Sequence, residues 1–341
     1  MGSPRVRMSD VASHAGVSIA TVSRVVNDSE SVTSETRDKV LSSMESLGYE
    51  WNDTSEPEND DKLIAIIIPE ITNPIFSTFA DALQREISSS NFIPFICSQS
   101  AGTYTEEVFV DTFLGRGLRA VVFVSGRHAD YRANTDLYSF LHKKQIPFIT
   151  INGDRDDISA TDFSTADAAG IRTAVTHLKN LGHEKIALVT GEQCYVPARK
   201  KVEAFSDIMR STFNVDSPLV IETFYTSEAV AALVPSLIEE GVSGVITSSD
   251  VQALGIIEGA RAIGLSIPKD LSVIGYDDSA PAKYYYPPLT TIRQPVSAIC
   301  SDAVRILTLS IEHKVQHTGS FIYSPDLVVR STTGPVSHAR S

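Results

Sequence analysis

The first fifty residues carry apolar positions at helical spacing. Three short apolar faces follow one another: Val11, Ala12 and Ala15; Val22, Val25 and Val26; and Val40, Leu41, Met44 and Leu47. Gly16 suits a left-handed turn after the first face, Ser18 suits an N-cap, and Gly48 suits a helix stop. The pattern predicts three helices, the third over residues 34–47, in a helix-turn-helix arrangement.

The predicted second helix leaves mainly short side chains pointing outward around one long cation. These residues are Ile19, Ala20, Thr21, Ser23, Arg24 and Asn27. Arginine can bond a guanine edge twice, and small apolar side chains can touch a thymine methyl group, so this face suits a DNA major groove. The helical spacing alone fits equally well a three-helix cap with a solvated face.

From Leu63 onward, short apolar strands alternate with helices in two series, divided near Thr165. Apolar strands without clean alternation, each followed by a helix, indicate parallel sheets covered on both faces. We therefore expect an α/β fold with two doubly wound lobes. Ligands of such folds bind beyond the carboxyl ends of the strands, in a cleft between lobes.

Composition narrows the possible functions. The net charge of −13 argues against a general polyanion binder, and the three distant cysteines give neither a metal spacing nor a disulfide framework. The longest apolar run, residues 63–68, is too short for a membrane span, and no secretory signal is seen. We expect a cytoplasmic protein with no cofactor, no metal, no membrane partner and no catalytic residue set.

The N-terminal string closely resembles the headpiece of the LacI/GalR family of bacterial transcription regulators. The match comprises residues 8–18, the run Thr21-Val22-Ser23-Arg24-Val25-Val26-Asn27, and residues 32–37. The resemblance implies base reading by Ile19, Ala20 and Arg24. It places Ser18, Thr21, Ser23 and Asn27 on phosphates or in helix positioning, and it implies a dimer on a palindromic double-stranded operator.

The remaining chain resembles the same family, whose core is similar to periplasmic sugar-binding proteins. Signposts include residues 69–76, 264–278, 287–295 and 327–330. The implied organisation is a headpiece over 1–49, a linker over 50–62 and a core over 63–341. Lobe 1 is expected at about 63–163 and 292–323, and lobe 2 at about 164–291 and 324–337, with crossings near Phe163, Thr291 and Ser324.

The resemblance also implies a small-molecule effector, a sugar or sugar derivative, held between the lobes. The candidate contacts are Asn73, Phe76, Asp154, Phe163, Lys201, Ser249, Asp250, Asp277 and Gln294. Several have a plain structural alternative: Ser249 or Asp250 as an N-cap, Asp277 as a turn residue, Phe76 as core. The chain also departs from the family pattern at Ser249, Lys201 and Ala166-Asp167.

Together these features predict a ligand-responsive regulator, most simply a repressor of carbohydrate-related genes. The competing classes are a sensor that binds solute without specific DNA binding, and an enzyme on an α/β scaffold, which no residue set supports. Residues 52–62 hold five carboxylates, Pro57, and no Leu, Ala or Arg. We therefore expect a non-helical linker that stays out of the minor groove and bends the operator little.

Overall fold

The computed structural model describes Val6 and residues 8–26, 32–49, 62–99 and 104–336. It separates the chain into two compact units, Met1–Asp60 and Asp61–Ser341. The linker, for which we predict a non-helical form, lies almost entirely outside the described residues, as does the predicted DNA contact Asn27.

Three helices form the first unit, as predicted: α1 (Met8–Ala15), α2 (Ile19–Val26) and α3 (Ser34–Leu47). Val11, Val22, Val25, Val40 and Met44 are buried together at its centre. Ser18 Oγ accepts a hydrogen bond from the Thr21 amide at 3.1 Å, and Gly48 ends α3 at a φ of +61°.

The predicted apolar face of α3 is wrong at one residue, Leu41. Leu41 is 50% exposed, although Val40 and Met44 beside it are buried. Among the described residues, α3 packs against α1 and α2, so the stripe through Val40, Met44 and Leu47 covers that contact and Leu41 falls beside it.

The second unit contains two six-stranded sheets. The first has the order β11-β5-β4-β3-β1-β2 and is parallel throughout. Its strands are β1 (Leu63–Ile68), β2 (Ile93–Ser98), β3 (Leu118–Val124), β4 (Phe148–Ile151), β5 (Thr161–Thr165) and β11 (Gly319–Tyr323). Its helices are α4 (Pro74–Ser89), α5 (Glu106–Leu114), α6 (Asp136–Lys143) and α12 (Val296–His313), with a 3-10 turn at Arg127–Ala129.

The second sheet has the order β12-β10-β9-β8-β6-β7, in which only β12 runs antiparallel to its neighbour. Its strands are β6 (Ile186–Thr190), β7 (Leu219–Glu222), β8 (Gly244–Thr247), β9 (Ser272–Asp277), β10 (Thr290–Arg293) and β12 (Asp326–Val328). Its helices are α7 (Asp167–Asn180), α8 (Val196–Phe213), α9 (Ser227–Ala231), α10 (Val234–Glu239) and α11 (Asp250–Ala262), with a 3-10 turn at Ala280–Tyr284.

The predicted α/β class with two doubly wound lobes is confirmed. Residues 227–239 form two short helices, α9 and α10, rather than one, because Pro235 near the start of α10 has no amide hydrogen for a continuous helical ladder. The chain passes between the sheets after β5, after β10 and between β11 and β12. The second passage follows Arg293, slightly later than the expected crossing near Thr291.

Candidate functional site

The outward face of α2 is exposed as the sequence predicts. Ser18, Ile19, Ala20 and Arg24 are exposed, while Thr21 and Ser23 are half-buried. Val22 and Val25 anchor the opposite face in the core of the unit. The apolar spacing therefore orients α2 so that a cation and small side chains face outward, which is the surface that major-groove reading requires.

A cavity of about 470 Å³ lies between the two lobes of the second unit. Its wall is built from residues at or just after the carboxyl ends of strands in both sheets, together with the first turns of α4 and α8. Six of the nine predicted effector contacts line it: Asn73, Phe76, Lys201, Ser249, Asp277 and Gln294. The volume is typical of small-molecule sites.

Three predicted contacts do not line the cavity. Phe163 is fully buried in the core of the first lobe and stacks on Phe321, with ring centroids 5.1 Å apart. Asp154 is half-buried away from the lining. Asp250 is fully buried, and its carboxylate accepts hydrogen bonds from the Ser279 amide at 2.7 Å and the Thr291 hydroxyl at 2.6 Å. Asp250 thus connects the start of α11 to β10 and to the loop that follows β9.

The capping alternative applies to Ser249. Its hydroxyl accepts from the Gln252 amide at 3.2 Å and begins α11, while the residue also lines the cavity. Asn73 likewise combines two roles, because its Oδ1 caps α4 through the Ile75 amide at 3.3 Å. Phe76 packs against the first-lobe core and lines the cavity, so both of its expected roles are compatible with its position.

Asp277 lies at the floor of the cavity, where β9 ends. Its φ of +120° is a conformation that L-residues rarely adopt and that costs about 1–3 kcal/mol. The pKa of Asp277 is raised well above its usual value, mainly by burial and secondly by the nearby Asp250 carboxylate. Strain and desolvation at one cavity-facing carboxyl are typical of a binding residue, which favours the functional interpretation over a simple turn.

Gln294 connects this carboxyl to the other lobe. Its Nε2 donates to Asp277 Oδ1 at 2.7 Å, and its Oε1 accepts from the Thr165 hydroxyl at 2.9 Å and from Asn152 Nδ2 at 3.3 Å. Asn152 Oδ1 in turn accepts from the Thr165 amide at 3.2 Å. A continuous chain of hydrogen bonds therefore crosses from the second lobe to the end of β4 in the first.

A buried ion pair forms another part of the floor. Lys201 Nζ lies 2.6 Å from Asp167 Oδ1, with side chains 6% and 7% exposed. Tyr276 completes the pair, because its hydroxyl donates to Asp167 at 2.6 Å and its ring lies under the ammonium. In the sequence Asp167 is marked only by its departure from the family pattern. In the structure it lines the cavity.

At the opposite side of the cavity the lobes touch directly. Asp130 and Tyr195 form an isolated antiparallel bridge, and the Tyr131 amide donates to the Cys194 carbonyl at 3.0 Å. Arg132 pairs with Glu192 at 2.9 Å. Sequence reasoning missed Asp130, Glu192 and Tyr195 as lining residues, as it missed Asn152 and Tyr225.

A helix-turn-helix unit with an outward-facing second helix, in one chain with a two-lobed core that encloses a cavity lined by both polar and apolar side chains, defines a DNA-binding regulator that responds to a small ligand. Residues 7–52 match the bacterial regulatory proteins of the lacI family, and residues 175–333 match a periplasmic binding protein-like domain. The chain belongs to the LacI family of bacterial transcription regulators.

Relatives resemble the chain over almost its whole length. An HTH-type transcriptional regulator in the aml 5′ region of Streptomyces limosus is 39% identical, over 97% of this chain and 96% of the relative. The HTH-type transcriptional regulator MalR of Streptomyces coelicolor is 37% identical, over 96% of each chain. A ribose-bound LacI family regulator from Enterococcus faecium has 26% identity and a TM-score of 0.70, covering 81% of this chain and 100% of that one.

Other features of the described residues bear on alternative classes. No group of three or more His, Cys, Asp or Glu side chains among them is placed to hold a metal ion. Within the same residues, no helix has both the length and the apolar character needed to cross a bilayer. The three cysteines are free thiols, two of them buried.

Proposed function

We propose that the protein is a repressor that binds a palindromic operator as a dimer and changes its DNA affinity when a sugar binds between the lobes. The observation that carries the proposal is the exposed face of α2, with Arg24 as its long cation. Ser18, Ile19, Ala20, Thr21, Ser23 and Asn27 would complete the DNA contact surface. Such a regulator would act in the cytoplasm, where its DNA lies.

The cavity supports the effector half of the proposal. Asp277 and Asn152 offer acceptors and donors of the kind that hydroxyl groups use, and Phe76 offers a ring face for the apolar side of a sugar. Ribose in the related Enterococcus regulator and the name of one relative, a ribose operon repressor, favour a carbohydrate. A relative rotation of the lobes about the Gln294 crossing would couple the cavity to the DNA-binding units.

The dimer draws support from one edge of the first sheet. β2 is an edge strand, and its Ile93 and Phe95 side chains are 56% and 45% exposed. Exposed large apolar side chains on a strand edge are a surface that proteins usually cover. Pairing of two copies would also supply the two recognition helices that a palindrome requires.

Fluorescence anisotropy tests the proposal directly. The full chain is titrated onto labelled DNA from upstream of its own gene, with and without individual sugars, beside a scrambled duplex. We expect preferential binding of the upstream DNA and release by at least one sugar. Equal binding of both duplexes, unchanged by any sugar, would instead favour a solute sensor without specific DNA recognition.

Arg24→Ala refines the test. Loss of a base contact should cost about 1–3 kcal/mol for the specific duplex and relax the preference at one base pair in each half-site. Lys39→Ala, on α3 and paired with Glu35, is the matched control for loss of one positive charge. If Arg24→Ala weakens binding to all duplexes equally, Arg24 contacts phosphate and its assignment to a base is wrong.

A further inference from the structure

The cations of the cavity wall are already neutralised. Among the described residues that line it, the cations are Lys201 and Arg127. Lys201 is held by Asp167 at 2.6 Å with little exposure of either side chain, and the Arg127 guanidinium pairs with Glu107. Neither offers an uncommitted positive charge to an incoming anion.

Negative groups are in excess on the same wall. Five carboxyl side chains of described residues line the cavity: Glu70, Asp130, Asp167, Glu192 and Asp277. Asp130 and Glu192 both pair with Arg132, which stands outside the lining. Asp277 has no cation in direct contact, and its hydrogen-bond donor is the neutral amide of Gln294.

Helix N-termini are the other usual source of anion binding. Here α4 and α11 are capped by their own side chains, Asn73 and Ser249. α7 carries the carboxylate of Asp167 in its first turn, and α8 has Pro197 in its first turn, which removes an amide donor. Each of these four helix starts therefore already has a side-chain cap, a carboxylate or a proline at its first turn.

We propose that the cleft selects an uncharged carbohydrate and rejects its phosphorylated or carboxylated derivatives. The inference rests on the proposed sugar-binding function and narrows the class of effector. A phosphate group placed near Asp277 would be desolvated beside a carboxyl, without an unpaired cation among the described lining residues to compensate it.

Matched pairs of ligands test the proposal on the wild-type full chain. Isothermal titration calorimetry compares D-ribose with D-ribose 5-phosphate, D-glucose with D-glucose 6-phosphate, and cellobiose with cellobiose 6-phosphate. For each neutral sugar that binds, we expect its phosphate ester to bind on the order of 100-fold more weakly. 6-O-Methyl-D-glucose controls for bulk at the substituted hydroxyl, and it should lose less affinity than the phosphate ester.

The outcomes separate the two proposals. Phosphate esters that bind as tightly as the neutral sugars, or more tightly, would overturn the charge selection while leaving a carbohydrate effector in place. If neither member of any pair binds, the carbohydrate effector of the proposed function is wrong, and the selection inferred here falls with it.

Two charge-removing variants examine the cause. Asp277→Asn keeps an acceptor for Gln294, and Asp167→Asn leaves Lys201 free to bind an anion. In both variants, the affinity of the neutral sugar relative to that of its phosphate ester should decrease. Asp167→Asn should also gain affinity for inorganic phosphate. Asp81→Asn removes an exposed carboxylate paired with Arg85 and should leave the ratio unchanged. If circular dichroism shows that Asp167→Asn does not fold, Asp277→Asn alone tests the proposal. An unchanged affinity ratio in that variant would overturn it.

Discussion

The two walls of the cavity come from lobes of similar topology but differ in chemistry. The buried polar side chains that the first lobe contributes are amides, Asn73 and Asn152, beside the apolar side chains of α4. Those of the second lobe include three ionisable groups, Asp167, Lys201 and Asp277.

This difference suggests a division of labour between the lobes. Charged groups held by buried partners give short, oriented hydrogen bonds to hydroxyl groups, whereas an apolar wall adds contact area with little directional demand. We expect the second lobe to provide orientation and selectivity, and the first lobe to close over the ligand through Phe76 and its neighbours. The following changes test this division, beginning with the largest expected effect.

Lys201→Met should lower the free energy of unfolding of the core by about 3–5 kcal/mol, because Asp167 would remain buried without its cation. Urea unfolding followed by circular dichroism measures the change. Arg85→Met breaks the exposed pair with Asp81 and should cost less than about 1 kcal/mol. Equal losses for the two variants would show that the second-lobe wall is not a desolvated charged surface.

Asp277→Ala should reduce affinity for a binding sugar by about 0.5–1.5 kcal/mol for each hydrogen bond lost. Operator affinity without sugar should stay the same, so that the variant represses but no longer responds. Calorimetry and the anisotropy assay report the two quantities, with Asp81→Ala as the control. A variant with unchanged sugar affinity and response would return Asp277 to the role of a turn residue.

Phe76→Leu and Phe76→Ala separate the two roles of the first-lobe aromatic side chain. If the ring stacks on a sugar, both variants should weaken binding by about 1 kcal/mol, whereas only Ala should lower the melting temperature strongly. If the ring only fills the core, the Phe76→Leu variant should bind sugar as tightly as the wild type does. That result would show that the stacking role assigned to Phe76 is wrong.

The last test concerns a buried carboxyl behind the first-lobe wall, whose effect on stability depends on pH. Glu106 is buried, accepts from the Arg127 amide at 2.9 Å and from the Tyr138 hydroxyl at 3.0 Å, and burial raises its pKa to about 7. The folded protein thus holds this proton more tightly than the unfolded chain, whose glutamate has its usual pKa. Stability from Glu106 is present at low pH and is lost as the pH rises to about 7 and above.

Glu106→Gln imitates the protonated side chain. The melting temperature of the variant relative to wild type should therefore rise between about pH 5 and 8. Glu107→Gln, at a half-exposed neighbouring carboxylate, controls for charge at the same helix start. A difference that does not change with pH would mean that Glu106 is not protonated in the folded protein.

The sequence was sufficient for the fold class and for much of the cavity. Local apolar spacing located α2, and the polar residues after strands included Ser249 and Asp277. Asn152 directly follows β4, and Tyr225 comes shortly after β7, so a consistent search of strand ends would have found both.

The sequence did not predict features that depend on the direction of a side chain or on contacts between residues distant in the chain. Phe163 lies within β5, whose five residues are all buried, whereas the cavity is lined by residues at or after the carboxyl ends of strands, so its place in the core depends on where the strand ends. Asp250 follows Ser249 at a helix start, yet its partners are Ser279, in the loop after β9, and Thr291, in β10, and the sequence does not place either next to it.

The position of β11 has a consequence for how the protein folds as it is made. β11 completes the first sheet by pairing with β5, with Gly319 beside Thr161, and α12 supplies seven residues of the same core. Both lie beyond the second lobe in the chain. At synthesis rates of roughly 5–20 residues per second, the first lobe waits on the order of ten seconds or more for its last pieces. During that interval β5 presents an open edge, so this stretch of synthesis is where a chaperone would have most to protect.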